Sequence, residues 1–555
     1  MTVRKIERAP LAYDYPLLIK NLLRPPLRYS PQQEIVYKDI IRYNYLTLEK
    51  RIARLANLLK DIGIKQGETV GIMDWDSHRY LESFFAVPMM GCVLHTVNFR
   101  RSPENLAYTI NHAENRVLLI NEGLLPLFES VKDQLKTVRK LILLTDDGTR
   151  AAAAPEIAGE YEALLSQSDD RYDFPDFDED AMATILYTTG STGTPKGVCF
   201  SHRQLVMHTY GLMAGFSAYQ TRPMVNAGDV YMPLTPMFHV HAWGLPYLFT
   251  LMGGKQVYPG KYDPETILNL IATEQVTFSH CVPTLLHTLV NCPTIKEMDM
   301  SAWKVIIGGA ALSGDLCRAG LERGINLFSA YGMSETGPLL AAAILKPEME
   351  AWDTERQIEK RCRTGLPASM VDLEIVDITG KPIPHDGKSI GEVIVRAPWL
   401  SQGYAKDPLK SADLWADGWL HTGDIGFIDP DGYLQVTDRL RDAIKTGGEW
   451  IASMELEDII REHEAVSEAA VTAVPDEKWG EKPLAIVVLR DGYKGKVQEE
   501  DIRQFCMKYV ATGALPRHGV PEKIAIVDTI PTTSVGKISK KQLKQNLPFN
   551  LEDGP

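Results

Sequence analysis

From residue 47 to residue 145 the chain alternates two hydrophobic periods, and this alternation constrains its fold more than any other feature. Leu48, Ile52, Leu55, Leu59 and Ile62 recur at helical spacing, and Gly67 follows the end of the predicted helix. The next segment, ETVGIM, reads as a buried strand. The runs RVLLIN (116–121) and KLILLT (140–145) read as further buried strands, with a stretch of helical character between them. An α/β protein follows, with helices layered on the faces of sheets.

The pattern changes further along. Residues 146–180 turn Ala-rich and then acidic, ending in DDRYDFPDFDED, and read as a surface excursion without catalytic groups. From 371 to 436 short strands punctuated by Pro and Gly, among them VDLEIVD, GEVIVRAP and the hairpin signal DPDGYLQV, predict a small β-rich subdomain. After Arg439 a glycine turn, a helix over 454–463 and the strand-like SEAAVTAV and PLAIVVL predict a separate α+β unit. The expected division is therefore an N-terminal domain, 1–439, of layered α/β subdomains with the β-rich subdomain at its end, followed by a C-terminal domain, 440–555.

Charge and cysteine usage narrow the partners. A formal net charge of −13 argues against a broad electrostatic grip on nucleic acid or an anionic membrane. Any anionic ligand must meet local donors. Seven cysteines without a CxxC pair fit reduced intracellular thiols better than a disulfide framework or a zinc site, so no structural metal is expected. The N-terminal MTVRKIERAPLAYDYP lacks the apolar run of a signal peptide, and the apolar stretch 81–97 is broken by Glu82, Pro88 and His95. No spanning segment is expected, and the cytoplasm is the expected compartment.

The strongest local signal is YTTGSTGTPKGV (187–198), which follows the strand-like MATIL. Gly190, Gly193 and Gly197 allow close backbone approach to a phosphate. Hydroxyls of Thr188, Thr189, Ser191, Thr192 and Thr194 can donate to phosphoryl oxygens, and Lys196 adds a cation. This is not a Walker A loop, because Pro195 precedes Lys196 and Gly197 follows it. The plain alternative, a surface loop of turn-formers, is weakened by the length of the match.

This loop is followed in order by PMFHVHAWG (236–244), GGAAL (308–312), YGMSE (331–335), HTGD (421–424), DRLRDAIKTGGEWI (438–451) and PTTSVGKISKKQL (531–543). Together these motifs resemble the adenylate-forming superfamily of acyl-CoA synthetases, luciferases and peptide-synthetase adenylation domains. The likeness runs from about residue 40 to the C-terminus.

The resemblance implies a mobile C-terminal domain and an ordered set of roles. Thr188, Thr189, Gly190, Ser191, Thr192, Gly193 and Lys196 would hold the phosphates of ATP. Gly309, Ala310, Ala311, Tyr331 and Gly332 would form the adenine slot, with Ser334 on a phosphate where the family usually has Thr. Glu335 would hold Mg2+, a hard ion suited to carboxylate oxygen. Asp424 would accept from the ribose hydroxyls, with Arg439 on the same side. Lys537 would bridge the substrate carboxylate and the α-phosphate, making Lys537, Glu335, Lys196 and Thr188 the catalytic set. His239, Trp243, Gly309 and Met333 would shape the acyl site. Arg441 stands at the hinge, where relatives carry Asp or Lys, and Gly447, Gly448 and Glu449 would line the path of the thiol.

Implied is a two-step reaction: Mg-ATP and a carboxylic acid give an acyl-adenylate, and coenzyme A then takes the acyl group. Trp450, where many relatives have Asn, resembles the branch handling medium-chain and long-chain fatty acids and thioether acids. Another acyl acceptor, an alicyclic or aromatic acid, or a non-catalytic acyl-nucleotide binder remain as alternatives. A homodimer is admitted, and the sequence does not set the subunit number.

Overall fold

The computed structural model describes residues 3–148, 156–188, 194–217, 225–440, 442–446, 449–476, 480–511, 515–531, 540 and 543. The chain divides into two compact units, Met1–Val371 with Ala397–Leu414, and Asp372–Arg396 with Trp415–Pro555.

Among the described residues the first unit carries two sheets. In the seven-stranded sheet the order is Ile157–Glu160, Lys140–Leu144, Asn115–Asn121, Thr69–Met73, Val93–Thr96, Met182–Thr188 and Lys196–Ser201. All pairs are parallel except the last, which is antiparallel. Thr69–Met73 and Val93–Thr96 are buried along their whole length, as parallel strands covered on both faces should be. The helix predicted from residue 47 spans Tyr45–Asp61. The Asn44 side chain caps it by accepting from Thr47 N at 3.0 Å. Its face of Leu48, Ile52, Leu55 and Leu59 is fully buried, and each such side chain stabilises by roughly 1.5–3 kcal/mol.

The acidic stretch before residue 180 is more than a surface excursion. It supplies the edge strand Ile157–Glu160 and the helix Tyr161–Gln167, which buries Tyr161 and Leu165. The Tyr161 hydroxyl donates to Glu82 Oε2 at 2.6 Å, and Arg51 pairs with Glu82 at 2.6 Å and Glu162 at 2.7 Å. A buried carboxylate needs such donors. Tyr161, Leu164 and Leu165 do repeat at helical spacing and join the main core, but over a helix of only 7 residues, and the polar network ties that helix to Arg51 and Glu82.

The nine-stranded sheet of this unit has six consecutive parallel strands: Asn326–Gly332, Lys304–Ile307, Phe278–Cys281, Val230–Leu234, Lys255–Tyr258 and Glu34–Tyr37. Short antiparallel strands flank them, Leu339–Ala342 and Leu366–Pro367 on one side and Ile41–Asn44 on the other.

In the second unit the segment expected to be β-rich forms an antiparallel sheet of Asp372–Val376, Gly391–Arg396, Trp419–Ile428 and Leu434–Arg439, with Trp415–Ala416 at its edge. Its predicted hairpin turns at Asp429, whose carboxylate accepts from Asp431 N and Tyr433 N, each at 2.9 Å. A second sheet is built on the long pair Val466–Asp476 and Gly480–Leu489. The helices Ser453–Arg461 and Glu499–Ala511 bury Leu456, Ile460 and Ile502 in one core with Val471 and Val487 of these strands. Among the described residues no helix is long and apolar enough to cross a membrane.

Candidate active site

The parallel strands of the nine-stranded sheet place most of the sequence motifs. From Val230–Leu234 the chain crosses to Lys255–Tyr258 on one side, then returns to Phe278–Cys281 on the other. Strand order reverses there, and open α/β sheets bind ligands beyond the carboxyl ends of strands at such a point. Those ends lead directly into residues 235–239, Val282, the GGAAL loop and the YGMSE turn. Gly309, with φ +77°, is exposed together with Ala310 and Ala311. Tyr331 and Gly332 close their strand half-buried, Met333 and Ser334 are half-buried after it, and Glu335 is buried.

A left-handed turn sets the directions of His239 and Trp243. Val240, His241, Ala242 and Trp243 have φ of 47°, 56°, 48° and 58°, and Gly244 continues at 75°. Each non-glycine residue in this conformation costs roughly 1–2 kcal/mol. Burial of the apolar Val240 and Ala242 offsets part of that cost. His239 is left exposed beside an open cavity of about 490 Å³, bordered also by Arg100, Thr235, Phe238 and Tyr262.

Trp243 is turned inward. Its ring lies 4.8 Å from that of His280, and a Cβ on Gly308 would come within 2.7 Å of the indole. Trp243 therefore lies directly against the base of the GGAAL loop. Behind it an apolar cluster with Leu212, Phe216, Leu339 and Ala342 continues to a cavity of about 30 Å³ bordered by Gly211, Gly215 and Ile344. Burial pushes the pKa of His241 and of His280 down to about 3, so both imidazoles are neutral.

Lys196 belongs to the seven-stranded sheet. Thr188 and Lys196 face each other across its last strand pair, so they form the base of the glycine-rich loop between them. Thr189, Gly190, Ser191, Thr192 and Gly193 lie outside the described residues. Just before the loop, Arg101 Nη2 donates to Tyr187 O at 2.6 Å, and His112 Nδ1 is 2.7 Å from the Tyr187 hydroxyl.

The chain segment after Ala397 brings Lys196 and Glu335 to one side chain that the sequence reading missed. The Tyr404 hydroxyl donates to Glu335 Oε1 at 2.7 Å, and Lys196 Nζ lies 4.5 Å from the centroid of the Tyr404 ring. A lone tyrosine after a glycine carries no periodicity or motif chemistry, so only the packing singles it out.

In the second unit Asp424 and Arg439 are cross-strand partners, with Arg439 Nε 2.9 Å from Asp424 Oδ1. Asp424 is buried and the Arg439 side chain is half exposed. Glu449 is described by its backbone in the strand Glu449–Ile451. Arg441, Gly447, Gly448 and Lys537 lie outside the described residues. Lys540, close to Lys537 in sequence, is described: its Nζ is 2.8 Å from Glu457 Oε1.

Residues 26–405 match the family model described as AMP-binding enzyme, and residues 455–537 match that of the AMP-binding enzyme C-terminal domain. The chain belongs to the AMP-binding enzyme family. This AMP-binding enzyme is 37% identical over 510 residues to a long-chain-fatty-acid–CoA ligase of Thermus thermophilus, covering 91% of the chain and 90% of that relative. It is 36% identical over 544 residues to a 3-methylmercaptopropionyl-CoA ligase of Ruegeria lacuscaerulensis, covering 95% and 97%. Among solved structures, the Mycobacterium tuberculosis fatty acyl CoA synthetase superimposes with a TM-score of 0.75 at 25% identity, covering 96% of this chain and 98% of that one.

Proposed function

We propose that this AMP-binding enzyme is an AMP-forming acyl-CoA synthetase that joins a medium-chain or long-chain fatty acid to coenzyme A through an acyl-adenylate. The observation that carries the reading is the position of Trp243 and Glu335. Trp243 packs against Gly308 at the end of Lys304–Ile307, Glu335 follows the neighbouring strand Asn326–Gly332, and an apolar cluster extends behind the tryptophan. A nucleotide site and an acyl site then share one crevice.

In this reading Thr188, Lys196 and the loop between them hold the phosphates. Adenine rests on Gly309, Ala310 and Ala311 beside Tyr331 and Gly332, with Ser334 on a phosphate. Asp424 and Arg439 take the ribose. Glu335 fits a Mg2+ ion, because that ion binds through one or two carboxylates together with substrate phosphates. When bound, Mg2+ neutralises phosphate charge and helps pyrophosphate leave. Lys537 stabilises the charge that gathers as the carboxylate meets the α-phosphorus, a contact whose loss costs about 10²-fold to 10³-fold in rate.

The cavity beside His239 gives the reacting carboxyl group room and access from solvent. In the second step the thiolate of coenzyme A attacks the acyl carbonyl and AMP leaves. Arg441 serves as the hinge of a C-terminal domain beginning at residue 440, and Gly447, Gly448 and Glu449 line the thiol path. Met333 and Gly309 complete the wall of the acyl site. The enzyme works in the cytoplasm with ATP, the acid and coenzyme A as partners, and a homodimer is the assembly to test.

A second reading is favoured by the size of the apolar cavity. At about 30 Å³ the apolar cavity is small. A long chain requires Trp243 and its neighbours to move, whereas a short thioether acid needs less. CoA-dependent AMP formation across a panel of acids decides: the proposal requires the highest kcat/KM with medium-chain or long-chain acids. A maximum at a short thioether acid would replace the fatty acid by that substrate.

A further inference from the structure

Tyr404 stands between two charged groups on which the proposed chemistry depends, and its own pose is fixed from several sides. Its backbone bridges Val198, and its amide donates to Ser411 Oγ at 2.8 Å. The next amide, of Ala405, donates to Gly197 O at 2.8 Å, and Ser401 N donates to Glu335 O at 2.8 Å. Gln204 Nε2 holds the start of the segment through Leu400 O at 2.6 Å. One stretch of chain is therefore tied both to the strand that begins at Lys196 and to the turn that carries Glu335.

The side chain acts on each group differently. Glu335 is buried, and a buried carboxylate needs a donor. The Tyr404 hydroxyl supplies one at 2.7 Å, which orients the carboxylate plane and directs its remaining lone pairs. Mg2+ demands near-octahedral geometry and tolerates little misorientation of its ligand. Lys196 is a point charge on a flexible stem, and the electron-rich face of the ring confines it before any phosphate arrives.

We propose that Tyr404 is a positioning residue for adenylation: it orients the Glu335 carboxylate toward the cation of a metal–nucleotide complex and holds the Lys196 ammonium in place for the phosphates. The inference rests on the reading of Glu335 as the cation's ligand and of Lys196 as a phosphate contact.

The test is equilibrium binding of ATP to the full-length protein, without acid or coenzyme A, as a function of free Mg2+. Calorimetric titrations of the wild type, Tyr404→Phe, Tyr404→Leu and Glu335→Gln are compared, with thermal unfolding of each. Tyr404→Phe keeps the ring and loses the hydroxyl. Its metal-free ATP affinity should stay within about twofold of wild type, while the Mg2+ concentration needed for half-maximal tightening rises about tenfold, the scale of one hydrogen bond to a charged group. Tyr404→Leu should in addition weaken metal-free ATP binding, because Lys196 loses the ring. If the Leu variant does not fold, the Phe variant decides alone.

A Phe variant with the wild-type Mg2+ dependence overturns the proposal, as does an equal loss of affinity with and without Mg2+. Glu335→Gln separates the two layers of inference. If it leaves the Mg2+ dependence intact, the assignment of Glu335 itself fails. If it abolishes that dependence while Tyr404→Phe does not shift it, only the role of Tyr404 fails.

Discussion

Asp438 caps the helix that begins at Ser453. Its Oδ2 accepts from Ser453 N at 2.7 Å and from Met454 N at 3.3 Å, and the Ser453 hydroxyl also donates to it. The residue before the helix, Ala452, offers no side-chain cap, so a carboxylate from the end of the strand Leu434–Arg439 fills that place. Its charge also suits the positive end of the helix.

Asp438→Ala should therefore cost about 1 kcal/mol of local stability. Amide hydrogen exchange at Ser453 and Met454 should accelerate, and Asp438→Asn should retain most of the protection. Unchanged exchange in the Ala variant would remove this role.

Gly215 lies within the helix His202–Ser217 and borders the apolar cavity. A Cβ there first meets Ser369 N at 3.9 Å, whereas a Cβ on Gly211 would lie 2.6 Å from the indole of Trp399. Gly215→Leu should fold, since it also removes a helix-interior glycine worth about 1 kcal/mol in propensity. It should fill the cavity and lower kcat/KM for the longest acids by about tenfold or more, with the shortest acids unaffected. A uniform change across an acid panel would place the acyl chain elsewhere.

Acid should destabilise the protein. Burial holds His95, His208, His241 and His280 near pKa 3 and His202 near 4. These folded values are depressed, so the stability they contribute is present above about pH 6.5 and is lost as the pH falls toward the folded values. Asp76 runs the other way: burial raises it to about 7, so its contribution is lost as the pH rises through that value. At pH 5 unfolding should let the five histidines take up protons while Asp76 releases one. Net proton uptake on urea unfolding at pH 5 is the expected result, and net release would contradict it.

The parallel-strand framework was legible because buried runs such as RVLLIN and KLILLT have no polar face, and the helix Tyr45–Asp61 was legible from its apolar spacing. The motifs at the strand ends were legible as motifs. Their arrangement was not, because it depends on strand order. The left-handed turn at residues 240–243 is carried by non-glycine residues, so no local chemistry announces it. Tyr404 and Glu335 are 69 residues apart, and their hydrogen bond exists only through the packing of a segment with no periodic signature. The buried tie between Arg51, Glu82 and Glu162 was hidden for the same reason: charged residues read as surface until their partners are known.

The most direct measurement is acid-dependent ATP–pyrophosphate exchange by Lys537→Ala, run beside the reaction of coenzyme A with synthetic acyl-adenylate. Exchange should fall about 10²-fold to 10³-fold, because the ammonium acts where the carboxylate meets the α-phosphorus. Thioester formation from the preformed adenylate should persist. Exchange at the wild-type rate would contradict adenylation through Lys537.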